Sequence, residues 1–150
     1  MSWTFYNASG QRLAAIGYLT ATQAEMETAT STAAYVTPGR TQNHPGVAKA
    51  WISFNGEGTV AIQTQHNIAS LTDNGTGDYT VAITTDMTGT DFCLIGMSKN
   101  NSVAGQRGGT HTNTVAAGSF SIYTTVEDGT TGVSDVVDNR HIGVAYFGDQ

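Results

Sequence analysis

The chain has 150 residues, enough for one domain that buries a core without help from metals or disulfides. Only 12% of residues are charged and the formal net charge is −6, so nothing draws the chain as a whole towards phosphate, and nucleic acid is not an expected partner. With 18 glycines, 24 threonines and a 39% apolar share, the composition points to a folded, hydroxyl-coated β-protein and away from disorder.

Residues 3–7, "WTFYN", predict a short strand closed by "ASG", and the following "QRLAAIGYL" is too apolar for a free linker. No basic and apolar leader opens the chain, and no run approaches the roughly 20 apolar residues of a membrane span, so membrane insertion is not expected. At "TQAEMETATSTAA" the pattern changes. Thr22 is followed three residues later by Glu25, as in a capping box, which predicts a helix of two or three turns stopped near Tyr35 by the Pro38-Gly39 pair. The polar run 37–51, "TPGRTQNHPGVAKAW", then reads as a joint with a second bend at His44-Pro45-Gly46.

From Ala48 the period becomes two, with Ala48, Ala50, Ile52 and Phe54 on one face and Lys49, Trp51 and Ser53 on the other. "NGEG" predicts a hairpin into a strand that carries Val60, Ile62, His66 and Ile68 on one face. "DNGTG" turns the chain into "DYTVAITT", where Tyr79, Val81 and Ile83 align. "FCLIGM" is apolar on both faces, which predicts a central strand with Cys93 packed as a small apolar side chain. A loop is expected from Lys99 to Thr110, then strands at "SFSIYTTV" and "RHIGVAYF" on either side of a turn-rich segment. Six or more strands at this spacing predict a mainly β fold: an antiparallel β-sandwich or jelly-roll-like barrel with one short N-terminal helix. The expected divisions are 1–20 as a leader, 21–46 as helix and joint, and 47–150 as the sandwich.

Catalytic and metal constellations are missing from the sequence. His44, His66, His111 and His141 are scattered with no metal-gripping spacing, and His66 is expected in a core or interface. No nucleophile elbow or catalytic cysteine context occurs, and "AGQRGG" lacks the ending of a phosphate loop. The acids Glu57, Asp73, Asp78, Asp86, Asp91, Asp128 and Asp138 read as solvated turn residues. Neither enzymatic activity, nor a cofactor, nor a bound metal is expected.

The order "QAEMETATSTAAYVTPGRTQNHPGVAKAWISFNGEGTVAI" and "NIASLTDNGTGDYTVAITTDM" resembles a segment of tail-fibre-like and other virion structural proteins of tailed bacteriophages. The similarity is specific in "TPGR", "HPGVAKAW" and "DNGTGDYTV" and fades after Met97; "WTFYNASGQRL" is similar to a second element of those proteins. The resemblance implies a C-terminal β-rich block of a homotrimeric appendage, made in the host cytoplasm and resident in the virion, with a role in host attachment. It makes other virion proteins of tail or capsid the expected partners, together with a host surface glycan or protein.

Such fibres carry a long shaft ahead of this block, whereas here residues 1–20 alone precede the helix, so this leader is expected to dock directly on the particle through Trp3, Phe5, Tyr6 and Leu13. That leaves a second role open, capsid decoration as a cement or head-fibre protein that stabilises the head. For attachment, the expected receptor contacts are Asn100, Asn101, Gln106, Arg107 and Asp128 in exposed loops, with Trp51 and Tyr123 as sugar-stacking candidates. Pro38, Arg40, His44, Pro45, Lys49 and Trp51 are expected at the joint or a subunit interface, with Arg40 and Lys49 paired to acids or carbonyls.

Overall fold

The computed structural model describes residues 8–9, 20–32, 34–99, 107–127 and 134–150. The chain falls into two compact units, Met1–His44 and Pro45–Gln150.

In the first unit, α1 (Gln23–Thr28) begins at a complete capping box. The Thr22 N–H donates to Glu25 Oε2 at 2.8 Å, and the Glu25 N–H donates to Thr22 Oγ1 at 3.2 Å. These bonds hold the Glu25 carboxyl below its ordinary value, the Thr22 backbone donor contributing most. The helix is shorter than its sequence pattern predicts: Ala29 turns left-handed at φ 51°, and its N–H donates to the Glu25 carbonyl. Threonine and serine make local side-chain bonds that compete with helix, and at this end the Thr28 and Thr30 hydroxyls lie 3.2 Å apart across the left-handed turn. Pro38 does not act as a stop. It opens the one-turn α2 (Pro38–Thr41), since the first position of a helix needs no N–H and suits proline's fixed φ.

The second unit is a β-sandwich of two antiparallel sheets. One has the order β2 (Ala61–His66), β1 (Ala50–Asn55), β9 (His141–Phe147), β5 (Cys93–Lys99). The other has the order β3 (Ile68–Gly75), β4 (Asp78–Ile83), β7 (Ser119–Glu127), β6 (Arg107–Ala116), with the short β8 (Ser134–Val136) also paired to β7. Ala50, Ile52, Phe54, Ile142, Val144 and Tyr146 from the first sheet meet Tyr79, Val81, Ile83, Phe120 and Ile122 from the second, all buried. Two edge-to-face ring pairs lock the sheets together: Phe54 on Tyr79 at 4.9 Å and Phe120 on Tyr146 at 4.5 Å.

The alternation from Val60 to Ile68 is interrupted at Asn67, whose φ of 56° sends the chain from one sheet into the other. Asparagine tolerates this conformation, and its amide makes the corner rigid. Its Nδ2 donates to the Lys49 and Thr85 carbonyls, and its Oδ1 accepts the Thr85 N–H at 2.9 Å. One predicted strand thus becomes two, and His66, expected in a core or interface, is exposed.

A short segment at 137–139 ties one end of the sandwich together. Asp138 Oδ1 accepts the Gly77 N–H at 2.6 Å and the Tyr79 hydroxyl at 2.9 Å, so this acid is a half-buried tie rather than a solvated turn residue. Beside it the fully buried Asn139 donates through Nδ2 to Ser98 Oγ and the Thr125 carbonyl, while its own carbonyl accepts the Gly56 N–H. Burial, then the adjacent Asp138 carboxylate, pushes the Tyr79 hydroxyl well above its ordinary value; burial alone does the same for Tyr146. Among the described residues, no helix is long and apolar enough to cross a membrane.

Candidate interaction surface

The strand β5 departs most from expectation. It lies at the edge of its sheet rather than the centre, with Cys93, Ile95, Met97 and Lys99 exposed on alternate positions. A strand apolar on both faces need not be covered on both, and here the second face is left open to solvent. Cys93 accordingly sits on the surface as an exposed free thiol.

Pairing across the sheet sets this open face out in rows. Trp51 lies opposite His66 on one side and Ala145 on the other, and Ala145 opposite Ile95. In the next row Ser53 lies opposite Gly143, and Gly143 opposite Met97. In these two rows the middle strand β9 therefore presents Gly143 and Ala145, and nothing lies within 4 Å of where a Cβ on Gly143 would stand. The outcome is a trough floored by β9, walled by Trp51 on β1 and by Ile95 and Met97 on β5.

At one end the trough deepens into a depression of about 240 Å³, lined by Ser53, Met97, Lys99, His141 and Gly143 among others. That is below the roughly 300–1,000 Å³ of pockets that enclose drug-sized ligands, and it suits one small ring or a single side chain. Trp51 is 36% exposed and has His66 stacked on one side, ring centres 6.4 Å apart at 24°. Ser53, His66, His141 and Lys99 supply polar groups along the rim.

The outward face of the other sheet is different in kind. Thr114 Oγ1 and Ser121 Oγ lie 2.6 Å apart, Asn74 Nδ2 donates to Asp78 Oδ1 and Thr80 Oγ1, and His111 Nε2 is 3.1 Å from Thr125 Oγ1. The polar groups there largely satisfy one another. Tyr123 is capped by His111, the rings stacked at 4.8 Å and 14°, so one face of this sugar-stacking candidate is already occupied.

Of the expected site residues, Trp3, Phe5, Tyr6, Leu13, Asn100, Asn101, Gln106 and Asp128 lie outside the described residues. Arg107 is not a loop residue: it starts β6 opposite Glu127, and Gly108–Thr110 continue that strand, so these four residues of the expected loop are strand, as is Lys99. Pro38 and Arg40 stand in α2, and Pro45 is exposed at the start of the second unit. His44 lines a depression of about 200 Å³ with Ala21, Glu25, Met26 and Val36. Lys49 is buried, its N–H donating to the Tyr146 carbonyl at 2.8 Å. Of the expected receptor and interface residues that are described, Trp51 alone stands on the trough. Gly143, Ala145, Ile95 and Met97 were not expected there, because alternation shows which residues share a face but not which strands become neighbours.

Among the described residues no group of histidine, cysteine or carboxylate side chains could hold a metal ion. No family model, curated protein or solved structure matches this chain.

Proposed function

We propose that the chain is a structural protein of a tailed-bacteriophage virion, a small homotrimeric tail-fibre or appendage module that contributes to host attachment. The resemblance of "TPGR", "HPGVAKAW" and "DNGTGDYTV" to such proteins supports the virion role. The observation that carries the attachment role is the trough: a fixed concave strip on a rigid sheet, with an exposed indole, apolar walls and a polar rim. An indole face matches the C–H face of a sugar ring, and rim donors match its hydroxyls, so the ligand class is a host surface glycan. Three copies in one trimer would add avidity to a weak single site. No reaction is part of this role.

A second reading, capsid decoration, is favoured by the exposed Tyr35 and Val36 of the first unit, adjacent apolar side chains suited to burial against another virion protein. Copy number separates the two. Quantitative mass spectrometry of purified virions against the major capsid protein, with immunogold imaging, is expected to give a low ratio and label at the tail or vertices. A ratio near one trimer per local three-fold over the head would replace attachment by decoration, and absence from the particle would end both.

A further inference from the structure

The two ends of the β5–β9 pair differ in charge. These strands run antiparallel, from Cys93 opposite Phe147 to Lys99 opposite His141. Beyond the first end stand Asp91 and Asp149, which line one depression together with Thr88 and Phe92. At the other end Lys99 and His141 are both exposed, sit side by side across the two strands, and line the hollow in which the trough deepens. Among the described residues no carboxylate lines that hollow. The chain as a whole runs the other way, with 12 acids against 6 bases, so a positive end here is a local feature rather than a reflection of composition.

The hollow is shaped as well as charged. Gly143 forms its floor, with nothing within 4 Å of its Cβ position, and Met97 stands beside it. Lys99 brings one full positive charge with three N–H donors, and His141 brings a ring N–H. Ser53 Oγ donates to Gln63 Oε1 at 3.3 Å, which leaves its oxygen to accept from a sugar hydroxyl. Trp51 lies further along: it pairs with Ala145, and the run of β9 from Ala145 back to His141 spans about 13 Å at the rise of a strand. That exceeds one sugar ring, so a ligand that reaches both anchors is an oligosaccharide.

We propose that the trough selects an acidic oligosaccharide, with a neutral ring on the Trp51 indole and the carboxylate of a further sugar in the hollow between Lys99 and His141. The inference rests on the attachment reading and names the glycan class within it. A carboxylate has two oxygens, one for each of the two donors, and charge-assisted bonds of this kind are the stronger ones. One formal cation matches one negative charge. Asp91 and Asp149, beyond the Trp51 row, would repel a second, so a polymer charged on every sugar fits less well than one in which acidic and neutral sugars alternate.

The test presents the full chain to a microarray of bacterial surface oligosaccharides. Each uronic- or sialic-acid member is printed beside its carboxyl-reduced counterpart, and sulphated and phosphorylated members are included. The native chain is expected to bind acidic members and to lose roughly fivefold in affinity on carboxyl reduction, the worth of one solvent-exposed ion pair. Lys99→Met keeps the stem and drops the charge, so it should abolish that preference, whereas Lys99→Arg should keep it. Lys99 is exposed, so circular dichroism should be unchanged in both. Equal binding of acidic and reduced members, or a preference that survives Lys99→Met, would overturn the acidic-sugar assignment and leave glycan attachment standing. Sulphated or phosphorylated members bound in place of the carboxylated ones would overturn it too. A native chain that binds no member at all would overturn the attachment reading itself, and this inference with it.

Discussion

Replacing Tyr79 by Phe removes one hydroxyl from the half-buried tie at Asp138 and leaves the ring edge-to-face with Phe54. The lost bond runs to a carboxylate, and such bonds contribute about 1.5–3 kcal/mol. Asp138 keeps the Gly77 N–H, so the expected destabilisation at pH 7 is about 2 kcal/mol by urea unfolding. The pH dependence separates this account from a simple packing defect. Tyr79 and Tyr146 are both held neutral in the folded chain well above their ordinary value of 10.0. Their contribution is therefore complete below pH 10 and is lost as pH rises, since the unfolded chain gives up those protons first. Above pH 10 the native chain loses two such contributions, about 2.7 kcal/mol per pH unit, and the variant one, about 1.4. The stability gap should start to close at pH 10 and vanish roughly 1.5 units higher. A gap that stays constant to that point, or one under about 0.5 kcal/mol at pH 7, would refute the reasoning.

A Cβ on Gly108 would fall within van der Waals contact of the Ser98 carbonyl oxygen, backbone that cannot swing away. Gly108→Ala is therefore expected to destabilise by about 1–3 kcal/mol, seen as a lowered Tm. Gly143→Val is the opposite case: nothing lies near its Cβ position, so thermal stability should hold while the side chain plugs the trough. If the proposed attachment role holds, phage carrying it, or Trp51→Ala, should adsorb poorly to host cells; unchanged adsorption would take attachment away from this surface. Acidification should loosen α1. Glu25 is held below its ordinary value of 4.5, so its capping contribution is whole above that pH and disappears as pH falls through the lower folded-state value. Amide exchange at Thr22, whose N–H donates to the Glu25 carboxylate, is expected to rise there in the native chain and not in Glu25→Ala, which has no carboxylate to protonate.

Local choices were legible in the chain before any tertiary contact. Alternation at Ala50–Asn55, Asp78–Ile83, Ser119–Glu127 and His141–Phe147 picks out the inward faces, because a strand's side chains alternate whatever its neighbours are. The start of α1 was legible for the same reason, since Thr22 and Glu25 satisfy each other's donors within four residues. The helix end was misjudged, because hydroxyl residues compete for the backbone one at a time and leave no periodic trace.

Which strands meet is settled by pairing between distant parts of the chain. "FCLIGM" looks alike whether a sheet covers both its faces or one, and its place at an edge depends on β9 pairing with β1 on the far side. The left-handed turn at Asn67 is invisible in an unbroken alternation, yet it sends β2 and β3 into different sheets. The trough has the same origin. Trp51, Gly143 and Met97 are separated by tens of residues in the chain, and the trough exists because pairing sets a small residue between two large ones.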